Sequence, residues 1–289
     1  MPVPTEPDRH EEPGNAEPSD LPSVAVSGRD THVKQVRPRG AKPAAMTDGD
    51  GEPGLDTEDP VSVAADFVRA VRAGEDATPY EHLLRDLDSA DLAASLADDE
   101  ARTAFWCNVY NGAAQRTLRE RPEVYSRWRF FRRNLVAVAG APLTLDDIEH
   151  GILRGSQFKY SLGYVRKPDI LVGAFERAHR VADPDWRVHF ALNCGAASCP
   201  PVAAYEADAI DEQLAAATAS YLETETTYDA ASDTVAVTPL FRWYRGDFGG
   251  AAGIREILRD YEVIPADAEP TITYGDYDWS LAAGEFRES

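Results

Sequence analysis

The stretch from residue 187 to residue 201 constrains the fold more than any other, because an apolar run there meets a sharp turn. The run at 188–192 predicts a β-strand. The amide, glycine, serine and proline residues that follow cannot continue a strand, so the backbone is predicted to bend close to Cys194. A turn at the end of a strand often exposes a side chain, which makes this stretch a candidate functional site.

The same turn carries Cys194 and Cys199, two of the three cysteines in the chain. Alternation along the predicted strand would place His189 on the face opposite to Cys194, so the expected partner of this thiol is His150. An imidazole beside a sulfur raises the thiolate fraction, and the thiolate is the nucleophilic form. We therefore expect Cys194 to be the most reactive thiol and Cys107 to be an inert core residue.

Other residues complete a candidate catalytic set. Glu149 or Asp247 is expected to orient the imidazole of His150. Asn108 or the backbone at Gly195 is expected to stabilise an oxyanion. This combination of a nucleophile, a base and an oxyanion donor is typical of thiol-dependent hydrolases and acyl transferases.

Two asparagines mark a helix predicted for residues 98–120. Asn108 and Asn111 are three residues apart, so they share one face of a helix that is otherwise apolar or small. Amides on a buried helix need hydrogen-bond partners. They either brace neighbouring loops or line a site, and bracing is the favoured interpretation.

The order of the predicted elements favours an α+β fold. Helices come first, at residues 61–72, 80–87, 90–96 and 98–120, and short strands follow later in the chain. The strands at 188–192 and 234–238 are expected to form a small antiparallel sheet. Strands and helices do not alternate and no glycine-rich phosphate loop is present, which excludes a doubly wound sheet. We predict a mainly helical single domain.

The N-terminal residues differ from the rest of the chain in composition. Residues 1–59 are rich in proline, glycine and acidic residues and have almost no aromatic or long aliphatic side chains, so they cannot form a core. They are predicted to be a disordered acidic tail with a local basic patch, followed by a globular domain at residues 60–289. Met46 is the second of two methionines, and we expect the natural protein to start there.

The charge of the chain bears on its partners and its setting. Its 50 acidic and 29 basic residues give a net charge of -21, and lysine occurs at only four positions. Such a surface stays solvated at high salt, where the screening length of electrostatic repulsion falls to about 3 Å at 1 M. The composition therefore indicates a cytoplasm of high ionic strength, as in halophilic archaea. The same charge argues against nucleic acid or an anionic membrane as the main partner.

The sequence contains no apolar run of the ~18 residues that a membrane span needs, and its N-terminus is unlike a signal peptide. We therefore expect a cytoplasmic protein without a membrane span. A cytoplasmic setting favours free thiols, although a disulfide between Cys194 and Cys199 stays open if the turn brings the sulfurs together.

Five segments resemble, in the same order, the domain-of-unknown-function 547 family. They are Phe105-Trp106-x-Asn108-x-Tyr110-Asn111, Ile148-Glu149-His150-x-Ile152-Leu153-Arg154, His189-Phe190-Ala191-Leu192-x-Cys194-Gly195-x-x-Ser198-Cys199-Pro200, Trp243-Tyr244-x-x-Asp247-Phe248 and Tyr277-Asp278-Trp279-x-Leu281. The resemblance spans about residues 60–289. It implies no particular reaction, because the family is uncharacterised. Two positions depart from the pattern: Cys107 replaces an aliphatic residue, and Ala282 replaces an asparagine.

Three classes of function stay open. The first is a thiol-dependent hydrolase or acyl transferase with Cys194 as nucleophile, acting on a small-molecule or peptide ligand. The second is a metal site, for which zinc is the candidate ion, with ligands drawn from Cys194, Cys199, His150 and His189. The third is a binding or scaffold module that needs no cofactor. In each class a further set of residues is expected to bind a ligand or brace the site: Asn111, His189, Ser198, Cys199 and Asp247.

Overall fold

A computed structural model describes residues 59–126 and 128–284 of the chain. All of these residues belong to one compact unit. The disordered tail predicted for residues 1–59 lies outside the described residues, except for Asp59.

The carboxylate of Asp59 accepts hydrogen bonds from the backbone N–H groups of Val61 and Ser62, both at 3.1 Å, and so caps the first helix.

The predicted α+β fold class is confirmed, and helices predominate. The α-helices are α1 (Pro60–Ala73), α2 (Thr78–Asp86), α3 (Ser89–Ser95), α4 (Asp99–Glu120), α5 (Ala174–His179), α6 (Ile210–Glu225), α7 (Leu240–Trp243) and α8 (Gly250–Asp260). The strands are β1 (Asn134–Val138), β2 (Ala141–Thr144), β3 (Thr227–Asp229), β4 (Thr234–Val237) and β5 (Thr271–Tyr274). A π-helix spans Asp147–Leu153, and 3₁₀ turns span Pro122–Val124, Phe130–Arg132, Asp169–Leu171 and Trp186–Phe190.

The strands form two small sheets within the described residues. β1 and β2 make an antiparallel hairpin, and the second sheet has the order β3-β4-β5. The strand predicted at 234–238 is confirmed as β4. It pairs antiparallel with β3 and parallel with β5, so the second sheet is mixed and not wholly antiparallel as expected.

The strand predicted at 188–192 is wrong. The backbone there forms the 3₁₀ turn Trp186–Phe190, in which Asp185 accepts a hydrogen bond from the backbone of Arg187 and Val188 accepts one from Ala191. These local bonds satisfy the backbone without a neighbouring strand. All the side chains of the run are buried, and a short apolar run that is buried on every side does not distinguish a strand from a helical turn.

Helix α4 forms the centre of the domain. It is buried around most of its circumference, and α1 packs along it. A Cβ atom at Gly112 would overlap the ring of Phe67, so the close approach of these two helices requires glycine at this position.

Two hydrophobic clusters meet beside the cysteine turn. One contains α1 to α4, the β1–β2 hairpin and both cysteines, and the other contains the β3–β5 sheet, α7 and α8. Val188 belongs to the first cluster and Phe190 to the second. The intervening His189 is therefore held at the boundary between the clusters. Among the described residues, no helix has the length and apolar character needed to cross a membrane.

Candidate functional site

The turn after the 3₁₀ segment brings two sulfur atoms together. Gly195 adopts a φ of 90°, and its N–H group donates a hydrogen bond of 2.7 Å to the side-chain oxygen of Asn193. The backbone then folds back, because the N–H group of Cys199 donates to the carbonyl of Ala196 at 2.9 Å. The Sγ atoms of Cys194 and Cys199 lie 3.2 Å apart as free thiols.

The C-terminal segment holds this turn from the other side. The N–H group of Asp278 donates to Oγ of Ser198 at 2.9 Å, and the N–H group of Ser198 donates back to the carbonyl of Asp278 at 3.2 Å. This pairing places the hydroxyl of Tyr277 at 3.4 Å from Sγ of Cys199. Ser198 therefore positions the turn through its backbone and its hydroxyl.

The two sulfurs have opposite acid–base tendencies. Burial by itself would raise the pKa of Cys199, but hydrogen bonds from the Cys194 thiol, the Tyr277 hydroxyl and the Cys194 N–H group lower it below the ordinary value. The same sulfur–sulfur hydrogen bond, together with burial, raises the pKa of Cys194. Cys194 is thus the donor in the pair, and Cys199 is the sulfur on which a thiolate is stabilised.

Tyr277 can serve as a donor to this thiolate because it keeps its own proton. Burial, reinforced by the two neighbouring sulfurs, raises the pKa of Tyr277 well above its ordinary value. By contrast, Cys107 lies fully buried in α4, and burial raises the pKa of its thiol. Among the described contacts, the sulfur of Cys107 receives none of the hydrogen bonds that Cys199 receives.

The asparagines of α4 brace the backbone. Asn108 donates to the carbonyl of Tyr205 at 2.8 Å and accepts from the N–H group of the same residue at 2.8 Å. Asn111 donates to the carbonyl of Ala191 and accepts from the N–H group of Asn193, both at 2.9 Å. Asn111 thereby fixes the backbone that leads into the cysteine turn. Both amides have the bracing contacts that the sequence favoured.

His189 is paired with Asp247. Its Nε2 atom lies 2.8 Å from Oδ2 of Asp247, and its ring stacks on Tyr244 with 3.9 Å between centroids. Burial would raise the pKa of Asp247, but His189 and Arg154 together lower it, so this carboxyl group is ionised. An ionised carboxylate only accepts hydrogen bonds, so Nε2 of His189 carries a proton and Nδ1 is the nitrogen left to accept one.

A buried arginine joins this pair to His150. Arg154 donates to Asp247 from Nε at 2.7 Å and from Nη2 at 3.2 Å, and its Nη1 donates to Nδ1 of His150 at 2.7 Å. Burial, opposed by Glu149 and reinforced by the charge of Arg154, lowers the pKa of His150 to about 4. His150 is thus neutral near pH 7 and acts as an acceptor that orients the guanidinium group.

Glu149 lies next to this network as a buried carboxylate. Its Oε1 atom accepts a hydrogen bond of 2.6 Å from the hydroxyl of Tyr244. Burial opposes ionisation, but the protonated form of His150, the hydrogen bond from the Tyr244 hydroxyl and the charge of Arg154 each favour the carboxylate and lower the pKa of Glu149 below its ordinary value. Tyr244 therefore connects Glu149, through its hydroxyl, with His189, through its ring.

Two cavities meet at His189. The smaller, of about 70 Å³, is lined mainly by aromatic and aliphatic side chains and also by Glu149, His189 and both cysteines. The larger, of about 180 Å³, lies on the side of Arg154 and Asp247 and is also lined by His189. The structure therefore brings the sulfurs together with His189 and Glu149. Neither His150 nor Asn108 lines either of these two cavities.

The described residues contain no group of three or more histidine, cysteine or acidic side chains arranged to hold a metal ion. Both histidines considered as zinc ligands from the sequence have other partners, since His150 pairs with Arg154 and His189 with Asp247. The two cysteines bond to each other and to Tyr277. The donor set for a zinc site is therefore incomplete in this part of the chain.

Sequence reasoning gave no role in the site to Arg154, Tyr244 or Tyr277. Arg154 could have been noticed as an arginine four residues after His150 on a helix with an otherwise apolar face, because a buried guanidinium group needs a carboxylate partner. Tyr277 had no such signal, since it follows Cys199 by 78 residues and meets it only in the folded chain.

Fold and site together define an α+β domain with a buried pair of thiols next to a histidine–aspartate pair. Residues 94–222 match the family model described as "Protein of unknown function, DUF547", which confirms the resemblance over this segment. The matched residues include α4, the π-helix and the cysteine turn, while Asp247 and Tyr277 lie beyond them. The comparisons with curated proteins and with solved structures gave no match.

Proposed function

We propose that the domain is a thiol-dependent hydrolase or acyl transferase in which Cys199, in place of Cys194, is the attacking sulfur. The observation that carries this proposal is the set of three donors around Cys199: the N–H group of Cys194 at 3.3 Å, the thiol of Cys194 at 3.2 Å and the hydroxyl of Tyr277 at 3.4 Å. Donors directed at a sulfur stabilise its thiolate, which is the form that attacks an acyl carbon.

In this proposal His189 replaces His150 as the base. His189 lines the same cavity as both sulfurs, and its Nδ1 atom has no hydrogen-bond partner among the residues that the structure describes. Asp247 and Tyr244 fix the tautomer and the plane of the ring. His150 acts one step further away, because it orients the arginine that holds Asp247.

The reaction proceeds in two steps. The proton of Cys199 passes to His189, and the thiolate attacks the acyl carbon, so a C–S bond forms while the carbonyl electrons move to oxygen. The hydroxyl of Tyr277 is a donor for that oxyanion. The bond to the leaving group then breaks, and the leaving group takes the proton from His189. In the second step water or an acceptor gives a proton to His189, attacks the thioester and releases Cys199.

The size of the cavity limits the substrate. A volume of about 70 Å³ beside the sulfurs accommodates a small acyl group of about the size of acetyl. Aromatic and aliphatic walls and a buried carboxylate, Glu149, favour an uncharged group over an anionic one. The proposed substrates are therefore small-molecule or peptide esters, thioesters or amides that present a short acyl chain.

The compartment proposed for this activity is a cytoplasm of high ionic strength. A net charge of -21 supports it, because salt screens the repulsion among the acidic residues. Three free thiols in the described residues are compatible with a reducing compartment. The binding or scaffold alternative accounts for the bracing amides Asn108 and Asn111, but it does not account for the donors around Cys199.

Acylation with p-nitrophenyl acetate tests the proposal. Peptide mass spectrometry should find the acetyl group on Cys199, and release of p-nitrophenol should disappear in Cys199→Ser. In His189→Gln the rate should fall by about 100-fold, the lower end of the effect of a general base. The matched control is Cys107→Ser, because Cys107 is buried in α4 away from the turn. Equal acetylation of Cys199→Ser and the unaltered protein would refute the assignment.

A further inference from the structure

The cysteine turn has a second chemical capability, which follows from the position of its sulfurs. The Sγ atoms of Cys194 and Cys199 are 3.2 Å apart, and a disulfide bond measures about 2.05 Å. A movement of about 1.2 Å would join them. Both residues lie on one turn, with Gly195 at a φ of 90° between them, so a small backbone adjustment within the turn can supply this movement.

We propose that this cysteine pair reduces small, uncharged hydroperoxides and closes to a Cys194–Cys199 disulfide as it does so. The inference does not rest on the acyl chemistry proposed above. It requires only that a peroxide reach one sulfur and that the second sulfur lie within reach of the first.

The cavity determines which oxidants can react. Its volume of about 70 Å³ exceeds the ~10–15 Å³ that one water molecule needs, so hydrogen peroxide fits. A bulky disulfide does not fit, because Cys194 and Cys199 are only 7% and 6% exposed. The buried carboxylate of Glu149 also lines the cavity and disfavours an anionic oxidant.

The reaction balances without any further reactant. The thiolate of Cys199 attacks one peroxide oxygen, the O–O bond breaks, and the departing hydroxide takes a proton to become water. Cys199 is then a sulfenic acid. The sulfur of Cys194 attacks the sulfur of Cys199, the S–S bond forms and the S–O bond breaks, and a second water leaves with the proton of Cys194. The two thiols lose two electrons, and the peroxide gains them.

The two cysteines have distinct roles in this sequence. Cys199 receives the hydrogen bonds that stabilise a thiolate, so it is the sulfur that attacks the peroxide. Cys194 keeps its proton until the sulfenic acid forms, and its position 3.2 Å away makes it the resolving thiol. Cys107 lies in α4 and takes no part.

The experiment uses the full chain, reduced, freed of reductant and treated with one equivalent of hydrogen peroxide. We expect two of the three thiols to be lost and peptide mapping to recover a linked Cys194–Cys199 peptide. Dithiothreitol should restore both thiols. Peroxide consumption should be at least about tenfold slower in Cys199→Ser than in Cys107→Ser. Cys194→Ser should stop at a sulfenic acid on position 199, which dimedone labels.

Any of three results would overturn the inference. One is a reduced Cys194–Cys199 pair in the folded protein after stoichiometric peroxide, and another is oxidation that falls first on Cys107. The third is peroxide consumption that is unchanged in Cys199→Ser. The peptide map of the unaltered protein is decisive even if a variant fails to fold. Because the readout is thiol oxidation, formation of the disulfide without any acetylation of Cys199 would refute only the acyl transfer proposal.

Discussion

Protonation of His150 should make the domain lose stability as the pH falls from neutral. This histidine is almost fully buried, its Nδ1 atom accepts a hydrogen bond from Arg154, and its pKa is lowered from 6.5 to about 4. A histidine whose pKa is lower in the folded state binds its proton more readily when unfolded. Stability is therefore complete above about pH 6.5 and is lost progressively down to about pH 4.

The size of this effect follows from the pKa difference. A shift from 6.5 to about 4 corresponds to a total of about 3 kcal/mol in the free energy of unfolding, at about 1.4 kcal/mol per pH unit. At pH 5 the loss relative to pH 7.5 should be about 2 kcal/mol, because the folded state is still largely unprotonated there. Such a loss is a substantial part of the 5–15 kcal/mol that typically stabilises a domain.

Urea unfolding at fixed potassium chloride, repeated from pH 7.5 to pH 5, measures this loss. His150→Gln should remove about 2 kcal/mol of the pH dependence, because the glutamine oxygen can still accept from Arg154 but does not titrate in this range. His82→Gln is the matched control, since His82 is exposed on α2. If His150→Gln and the unaltered protein show the same dependence on pH, the reasoning is refuted.

Three further predictions concern charge and packing. Asp247→Asn should lower the free energy of unfolding by about 3 kcal/mol in urea, because Arg154 would lose its carboxylate partner in a buried environment. Gly112→Ala should lower stability by about 1–3 kcal/mol, read as a lower melting temperature, because the added methyl group would overlap Phe67. Dilution of potassium chloride from 1 M to 0.01 M should lower the melting temperature, because the screening length rises from about 3 Å to about 30 Å around a chain of net charge -21.

Each of these has a clear contrary result. Asp260→Asn, at an exposed position of α8, is the control for the loss of a carboxylate, and an equal effect of the two substitutions would contradict the role given to Asp247. An unchanged melting temperature in Gly112→Ala would mean that α1 and α4 have room to separate. A melting temperature independent of salt would reject the halophilic interpretation.

Local chemistry was sufficient to predict much of the helical framework. The first helix was predicted at residues 61–72, and the structure places it at Pro60–Ala73, with Asp59 at its start and Gly74 at a φ of 79° after its end. The sharp turn around Cys194 was also predicted, because Asn193 and Gly195 favour a bend wherever they occur. These features depend on residues that are neighbours in sequence, so the amino-acid order alone specifies them.

The acid–base pairing in the site was decided by the tertiary structure. His189 was assigned to the wrong face because residues 188–192 were predicted to be a strand, whereas packing between two hydrophobic clusters makes the segment a 3₁₀ turn. Its partner Asp247 lies 58 residues later in the chain. No pattern among neighbouring residues in the sequence predicts a contact over that separation.

Contacts between distant parts of the chain also determine which of the two cysteines forms the thiolate. The sequence places both in one turn but gives no basis for deciding which sulfur forms the thiolate. That choice depends on the hydroxyl of Tyr277, which reaches Cys199 from 78 residues away, and on the burial that keeps Cys194 protonated. The sequence by itself thus determined the helices, the turn and the reactive residue types. Only the tertiary structure decided the pairing, because hydrogen bonding and desolvation depend on groups that are distant in the chain.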